Sequence, residues 1–281
     1  MLNPEFLAIT YGLASAASWG AADFSGGFAT KRSDVYVVVI LSQAVGFVLL
    51  AASAFCLSEK IPHRETLLLG GIAGIFGALG LIALYKGLAQ GQMGIVAPVT
   101  AVVSAFFPVT AALFLEGFPS TLQIIGFGIA LLAVWLLSCS GTDTSVRLQE
   151  LWLPLGAGTG FGMFFILIDQ VSEEAFLWPL IVARIASLLM LTAVLTRARK
   201  VTMPNRSLLP LIVITGVLDV GGNAFFALAT QLGRLDISAV LASLYPATTV
   251  FLAWFILKER LVHQQWIGVA AALASLLLIT S

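Results

Sequence analysis

Ten apolar runs of about twenty residues, each long enough to cross the hydrocarbon core of a bilayer as a helix, follow one another along this chain with short breaks between them. The runs fall near 5–29, 35–57, 67–89, 94–115, 120–139, 151–171, 175–196, 208–231, 236–257 and 263–280. The breaks hold most of the charge, as in Lys31–Arg32–Ser33–Asp34, the stretch Glu59 to Glu65, Asp143 to Glu150, Arg197 to Lys200, and Lys258–Glu259–Arg260. Apolar residues make up 59% of the 281 and charged residues 10%, against about 45–50% and about 25% in soluble domains. Lipid is therefore the solvent for most of the chain. The 14 basic residues balance the 14 acidic ones, so no basic surface exists to gather phosphates and a nucleic-acid partner is excluded.

Only helices and closed barrels satisfy every backbone group in lipid. A barrel needs alternating segments of about ten residues, whereas Leu67 to Leu84 and Ile267 to Ile279 are apolar on all sides, which selects helices. The expected class is an all-α integral membrane protein. The first run has no basic leader and is as long as those after it, which argues against a cleavable signal peptide. Trp152, Trp178 and Trp266 stand near run ends, where interfacial aromatics belong. Cys56 and Cys139 lie singly in apolar stretches and read as small hydrophobes, not as a disulfide or a metal site, and no cofactor is expected.

The chain also resembles itself. Gln123, Ile125 and Gly126 recur as Gln265, Ile267 and Gly268 at a separation of 142, Trp19–Gly20 recurs as Phe161–Gly162 at the same separation, and Glu116 matches Glu259 at 143. The expected organisation is a first five-helix repeat over 1–142, a linker over 143–150 and a second over 151–281. Five is odd, so the second repeat enters the membrane from the opposite face. An inverted repeat of this kind brings a midplane site on a pseudo-twofold axis and alternating access by rocking of the halves.

The same residues carry a family resemblance. Trp19–Gly20, Ala83–Leu84–Tyr85, Tyr245–Pro246, Leu257–Lys258–Glu259 and Gln265–Trp266–Ile267–Gly268 are similar to EamA-type members of the drug/metabolite transporter superfamily, over nearly the whole chain. The resemblance implies ten helices in two inverted repeats and transport of a small metabolite, such as an amino acid, a related zwitterion or an amphipathic cation. It names no substrate. The sequence carries no phosphate-binding loop, so the leading expectation is a secondary carrier of the cytoplasmic membrane, a monomer or homodimer, that is an exporter or is coupled to protons or exchanges its solute. The first half has no proline matching Pro246 and carries Pro98 and Pro108 instead, so the two gates, at Pro246 and Pro98, are not equivalent. A membrane enzyme is the alternative, and would need a cluster of His, Asp or Ser at one face. A channel or a scaffold is the other. With the N-terminus in the cytoplasm, inner loops would hold three basic residues and outer loops ten, so the positive-inside rule favours both termini outside. The resemblance implies the opposite orientation.

A charge at mid-membrane costs between about 2.5 and 17 kcal/mol, so each one needs a partner or a watery cavity. Arg184 and Asp219 lie mid-run on the seventh and eighth spans and are expected to pair. Two readings of that pair stand: a coupling or solute-binding site, or a fixed interhelical salt bridge. Asp23 sits one helical turn after Trp19, so the two can present a carboxylate and an aromatic wall to a cationic or zwitterionic solute. The alternative is that Asp23 reaches the headgroups beside Lys31 and Arg32. Gln43, Asn223, Ser104, Thr100, Ser243 and Tyr245 are neutral polar groups at interior depth, where such side chains commonly join helices. Asn223, four residues after Asp219, Tyr245, just before Pro246, and Gln43 are the candidates for solute contact among them.

Gly156, Gly158, Gly160 and Gly162 lie within an apolar span, where no strand and helix N-terminus can cradle a pyrophosphate. Gly70, Gly71, Gly74, Gly77 and Gly80 make a smooth face for helix packing. Glu116 and Glu259 are expected to fix helix ends, and His63 and His263 to lie solvated in loops.

Overall fold

Polar caps begin several of the apolar helices. Asn3 accepts a hydrogen bond from the Glu5 N–H and Pro4 supplies a first residue that needs no partner, starting α1 (Pro4–Thr30). Asp34 accepts from the N–H groups of Tyr36 and Val37 and starts α2 (Val35–Leu57). The computed structural model describes residues 3–89, 93–138, 151–172, 174–197, 203–256, 258 and 262–279. There follow α3 (Arg64–Ala89), α4 (Met93–Leu115), α5 (Thr121–Ser138), α6 (Trp152–Ser172), α7 (Leu177–Arg197), α8 (Leu209–Leu232), α9 (Leu235–Ala242), α10 (Tyr245–Ile256) and α11 (His263–Ile279). A 3-10 turn, Arg206–Leu208, leads into α8, and the described residues contain no strand. The stretch 143–150, with Cys139, Glu173, Arg199, Lys200, Glu259 and Arg260, lies outside the described residues.

One expectation is corrected. The run 236–257 is not one helix but two, α9 and α10, separated at Ser243 and Leu244. Pro246 has no N–H to give the Ala242 carbonyl, so the ladder stops there and restarts with Pro246 in the first turn of α10. Among the described residues, six stretches are long and apolar enough to cross a membrane: α2, α3 through Leu88, α6, α7 through Thr196, Arg206–Leu232, and α9 with α10 as Leu235–Ile256. Val99–Leu115, Thr121–Leu136 and His263–Ile279 are shorter apolar helices.

The packing repeats itself across the two halves. α1 lies against α8 as α6 lies against α3, α2 meets α8 as α7 meets α3, and α1 contacts α9 and α10 as α6 contacts α4, while α5 and α11 pack on each other. Gln123 and Gln265, matched in the sequence, also do the same work. Each side chain folds back to accept from a backbone N–H at the start of its helix, that of Ser120 at 2.9 Å and that of Val262 at 3.0 Å. Large apolar side chains such as Phe55, Phe114 and Leu277 point outward, while others such as Phe226, Leu84, Ile168 and Leu191 pack inside together with small residues and hydrogen-bonded polar ones.

Two carboxylates tie helices together outside the apolar stretches. Ser58 ends α2 in the left-handed conformation and turns Glu59 back toward α7. The Glu59 carboxylate accepts from the N–H groups of Phe176, Leu177 and Trp178, and the Trp178 indole donates to the Glu59 carbonyl. A carboxylate on a helix N-terminus gains from both hydrogen bonds and dipole, so Glu59→Gln is expected to cost about 1 kcal/mol in detergent unfolding. An unchanged midpoint would show the cap to be idle. Glu116 accepts from the Leu235 N–H at the start of α9, with Arg234 donating to the carbonyls of Glu116 and Gly117. Burial pushes the Glu116 carboxyl up from its ordinary value, against the pull of that N–H.

His63, read as solvated, is exposed but engaged: its Nδ1 lies 2.5 Å from Glu174, because the loop after α2 crosses the turn between α6 and α7. The Thr66 hydroxyl and the His63 N–H also donate to Glu174 and hold its carboxyl below the ordinary value. A depressed carboxyl stabilises the fold above the unfolded value and loses that contribution as pH falls through the folded one. Wild type is therefore expected to lose more thermal stability than Glu174→Gln between about pH 5 and about pH 3. Parallel pH curves would contradict the clasp.

Candidate functional site

Mid-helix positions of α1, α2, α3, α6, α7 and α8, with the start of α10, surround one narrow cavity of about 60 Å³, room for a few water molecules. All seven residues singled out for solute contact line it: Trp19, Asp23, Gln43, Arg184, Asp219, Asn223 and Tyr245.

A polar network crosses one wall. The Arg184 guanidinium on α7 reaches Asp219 on α8 at 2.6 Å and donates through its other terminal nitrogen to Gln43 Oε1 on α2. Ser187 Oγ lies 3.1 Å from the same Oε1. The side chains of Arg184 and Asp219 are only 9% and 17% exposed, so each charge is matched where water is scarce. Asn223 donates to the Asp219 backbone carbonyl one turn back rather than to its carboxylate. Gly46 makes room for this network, since a side chain there would meet Val220 and the Arg184 Nε.

The facing wall is aromatic. Trp19 stacks on Phe165 at 5.3 Å between ring centres and tilts against Phe226 at 5.8 Å. It lies so close to Gly222 that a Cβ there would sit 2.4 Å from the indole Cδ1. Phe161 and Phe164 extend this surface from α6. Asp23 faces the same space one turn beyond Trp19, with no hydrogen-bond donor on its carboxylate among the described residues. Asp23 has cavity residues as neighbours because the α1 face that carries Trp19 turns toward α8 and α10.

The broken span touches the cavity through Tyr245. Its hydroxyl donates to the Ala97 carbonyl at 3.4 Å, directly before Pro98 in α4, so the segments carrying the two prolines meet. The Thr249 hydroxyl donates to the Gly20 carbonyl at 3.0 Å, and a Cβ on Gly20 would fall 2.3 Å from the Tyr245 carbonyl. The α1 backbone therefore rests directly on the restart of the helix. Ser104, Thr100 and Ser243 bond backbone carbonyls instead of lining the cavity.

Several lining residues were not anticipated. Phe161 was legible, since the separation that pairs Trp19 with Phe161 places both at equivalent points once either is put in the cavity. Gly74 and Gly77 pack on α7 and α6 as expected, and also border the cavity. Phe164, Phe165 and Ser187 carried no signal that sets them apart from other apolar or small residues of their spans.

The model of the EamA-like transporter family matches residues 6–139 and again 149–281. An uncharacterized protein of Methanocaldococcus jannaschii is 29% identical over 121 residues, 43% of this chain and 87% of that protein. One solved crystal structure shares the fold with a TM-score of 0.78, covering 97% of this chain and 98% of that one at 12% identity.

Proposed function

Since the chain belongs to the EamA-like transporter family of the drug/metabolite transporter superfamily, we propose that it is a secondary carrier that moves a small metabolite across the cytoplasmic membrane by alternating access. In this reading ten crossings form two inverted five-helix repeats, with α9 and α10 together making the ninth, and the solute sits in the cavity between the halves. The observation that carries the proposal is that cavity: it lies at mid-helix depth, is bounded by both repeats, and brings together three charged residues of the apolar helices, Asp23, Arg184 and Asp219. The pairing of inter-helix contacts across the halves supports rocking of one against the other, since each contact has an equivalent that can open as its mate closes. The break before Tyr245–Pro246, resting on Gly20 and reaching the Ala97–Pro98 segment, supports a gate there. The narrow cavity requires the helices to part for loading. Coupling is to protons or to a counter-solute, and the acting unit is a monomer or a homodimer. Reconstitution into liposomes with a panel of labelled amino acids, sugars, nucleosides and lipophilic cations tests this. Saturable, counterflow-capable uptake is expected, and ohmic conductance would instead assign a channel.

A further inference from the structure

Acidic groups outnumber basic ones in the cavity. Two carboxylates, Asp23 and Asp219, face one guanidinium, Arg184, and the guanidinium is already committed. Asp219 holds it at 2.6 Å from α8 and Gln43 accepts from it on the other side, so an incoming carboxylate would have to displace a buried ion pair to use that charge. Asp23 has no such partner. Its titratable neighbours are Asp219 from α8, Tyr85 from α3 and Tyr245 from α10, and among the described residues none hydrogen-bonds its carboxylate. Lys86, beside Tyr85 on α3, turns away to donate to the Tyr36 hydroxyl at 2.6 Å. The ring of Trp19 stands one turn from Asp23, and Phe161, Phe164 and Phe165 continue the apolar surface.

Resting on the carrier reading, we infer that the solute is an organic monocation, an ammonium group attached to an apolar body, and that Asp23 is the group that binds its charge. An unpaired carboxylate in a water-poor site is strongly stabilised by a bound cation. An aromatic face adds attraction for the same charge and shelters the apolar part. A zwitterion brings a second charge for which the cavity has no free complement, and an anion meets an uncompensated carboxylate. Arg184 and Asp219 are then positioning residues that hold α2, α7 and α8 in register around the site.

The test is calorimetric titration of the purified full-length protein in detergent with three ligands that share a phenyl body: phenethylamine, phenylalanine and 3-phenylpropionate. Phenethylamine is expected to bind at least about tenfold more tightly than the other two, and Asp23→Asn to weaken it by about tenfold or more without moving the unfolding temperature. Asp23→Glu is expected to restore part of the binding. Equal or tighter binding of phenylalanine or 3-phenylpropionate overturns the inference, as does an unaltered phenethylamine affinity in Asp23→Asn or the absence of binding by all three. The wild-type ranking decides even where Asp23→Asn does not fold. A reversed ranking with saturable counterflow of the preferred ligand leaves the carrier standing, whereas a solute that binds at Asp23 yet shows no counterflow removes the carrier and spares the binding assignment.

Discussion

Asp219→Asn is expected to lower the stability of the folded protein by about 3 kcal/mol, because it strands the buried Arg184 guanidinium with Gln43 alone. The asymmetry of buried ion pairs makes the effect large: the intact pair contributes little, yet one partner without the other is an uncompensated charge in a low-dielectric site. The double variant Arg184→Gln with Asp219→Asn removes both charges and is expected to return to within about 1 kcal/mol of wild type. Unfolding in detergent followed by tryptophan fluorescence reads this cycle. Transport by the single variant falls with the register of α2, α7 and α8. A single variant as stable as wild type that still fails to transport would restore Asp219 to a direct coupling role. Normal transport across about pH 5 to 8 would remove Asp219 from the mechanism altogether.

Gly74→Ala is expected to destabilise the fold by about 2 kcal/mol, although alanine is the better helix former by about 1 kcal/mol. The added Cβ would stand 2.1 Å from the Ala183 carbonyl oxygen and 2.4 Å from its Cα. Backbone cannot rotate out of the way as a side chain can, so α3 and α7 must separate along their whole contact. That separation also widens the cavity wall that Ala183 and Arg184 share. Gly128→Ala is the matched control, since a Cβ there meets nothing within 4 Å. It is expected to be neutral or stabilising by up to about 1 kcal/mol. Equal effects at the two sites would show that helix propensity, not contact, governs both.

The helical class, the run boundaries and the doubled organisation could be read from the sequence because each rests on local pattern: twenty apolar residues, a charged break, a recurrence of Gln-x-Ile-Gly. Arg184 and Asp219 could be paired in advance because mid-membrane charges have few alternatives and these two share a depth. What pattern could not supply was which polar group remains without a partner. Gln43 comes from a helix distant in sequence yet accepts from the Arg184 terminal nitrogen that Asp219 leaves open, which leaves Asp23 as the cavity carboxylate without a basic partner among the described residues. The break at Ser243 and Leu244 was implied by Pro246, yet a proline is compatible with either a bend or an interruption, and the contacts at Gly20 and Ala97 decide where the chain restarts. The reach of Glu59 to α7 was invisible for the same reason: a loop acid announces nothing about which helix end lies opposite it.

Alternating access, as proposed, requires that one cavity, bounded by both halves, serve both faces of the membrane in turn. Ser187 lines that cavity and is small enough to be replaced by cysteine with little change in shape. With Cys56 and Cys139 changed to serine, Ser187→Cys is to be challenged in oriented vesicles by a membrane-impermeant thiol reagent applied to one face at a time. Modification from either face is the predicted result. Modification from one face only, under every condition of pH and solute, would contradict alternating access through this cavity.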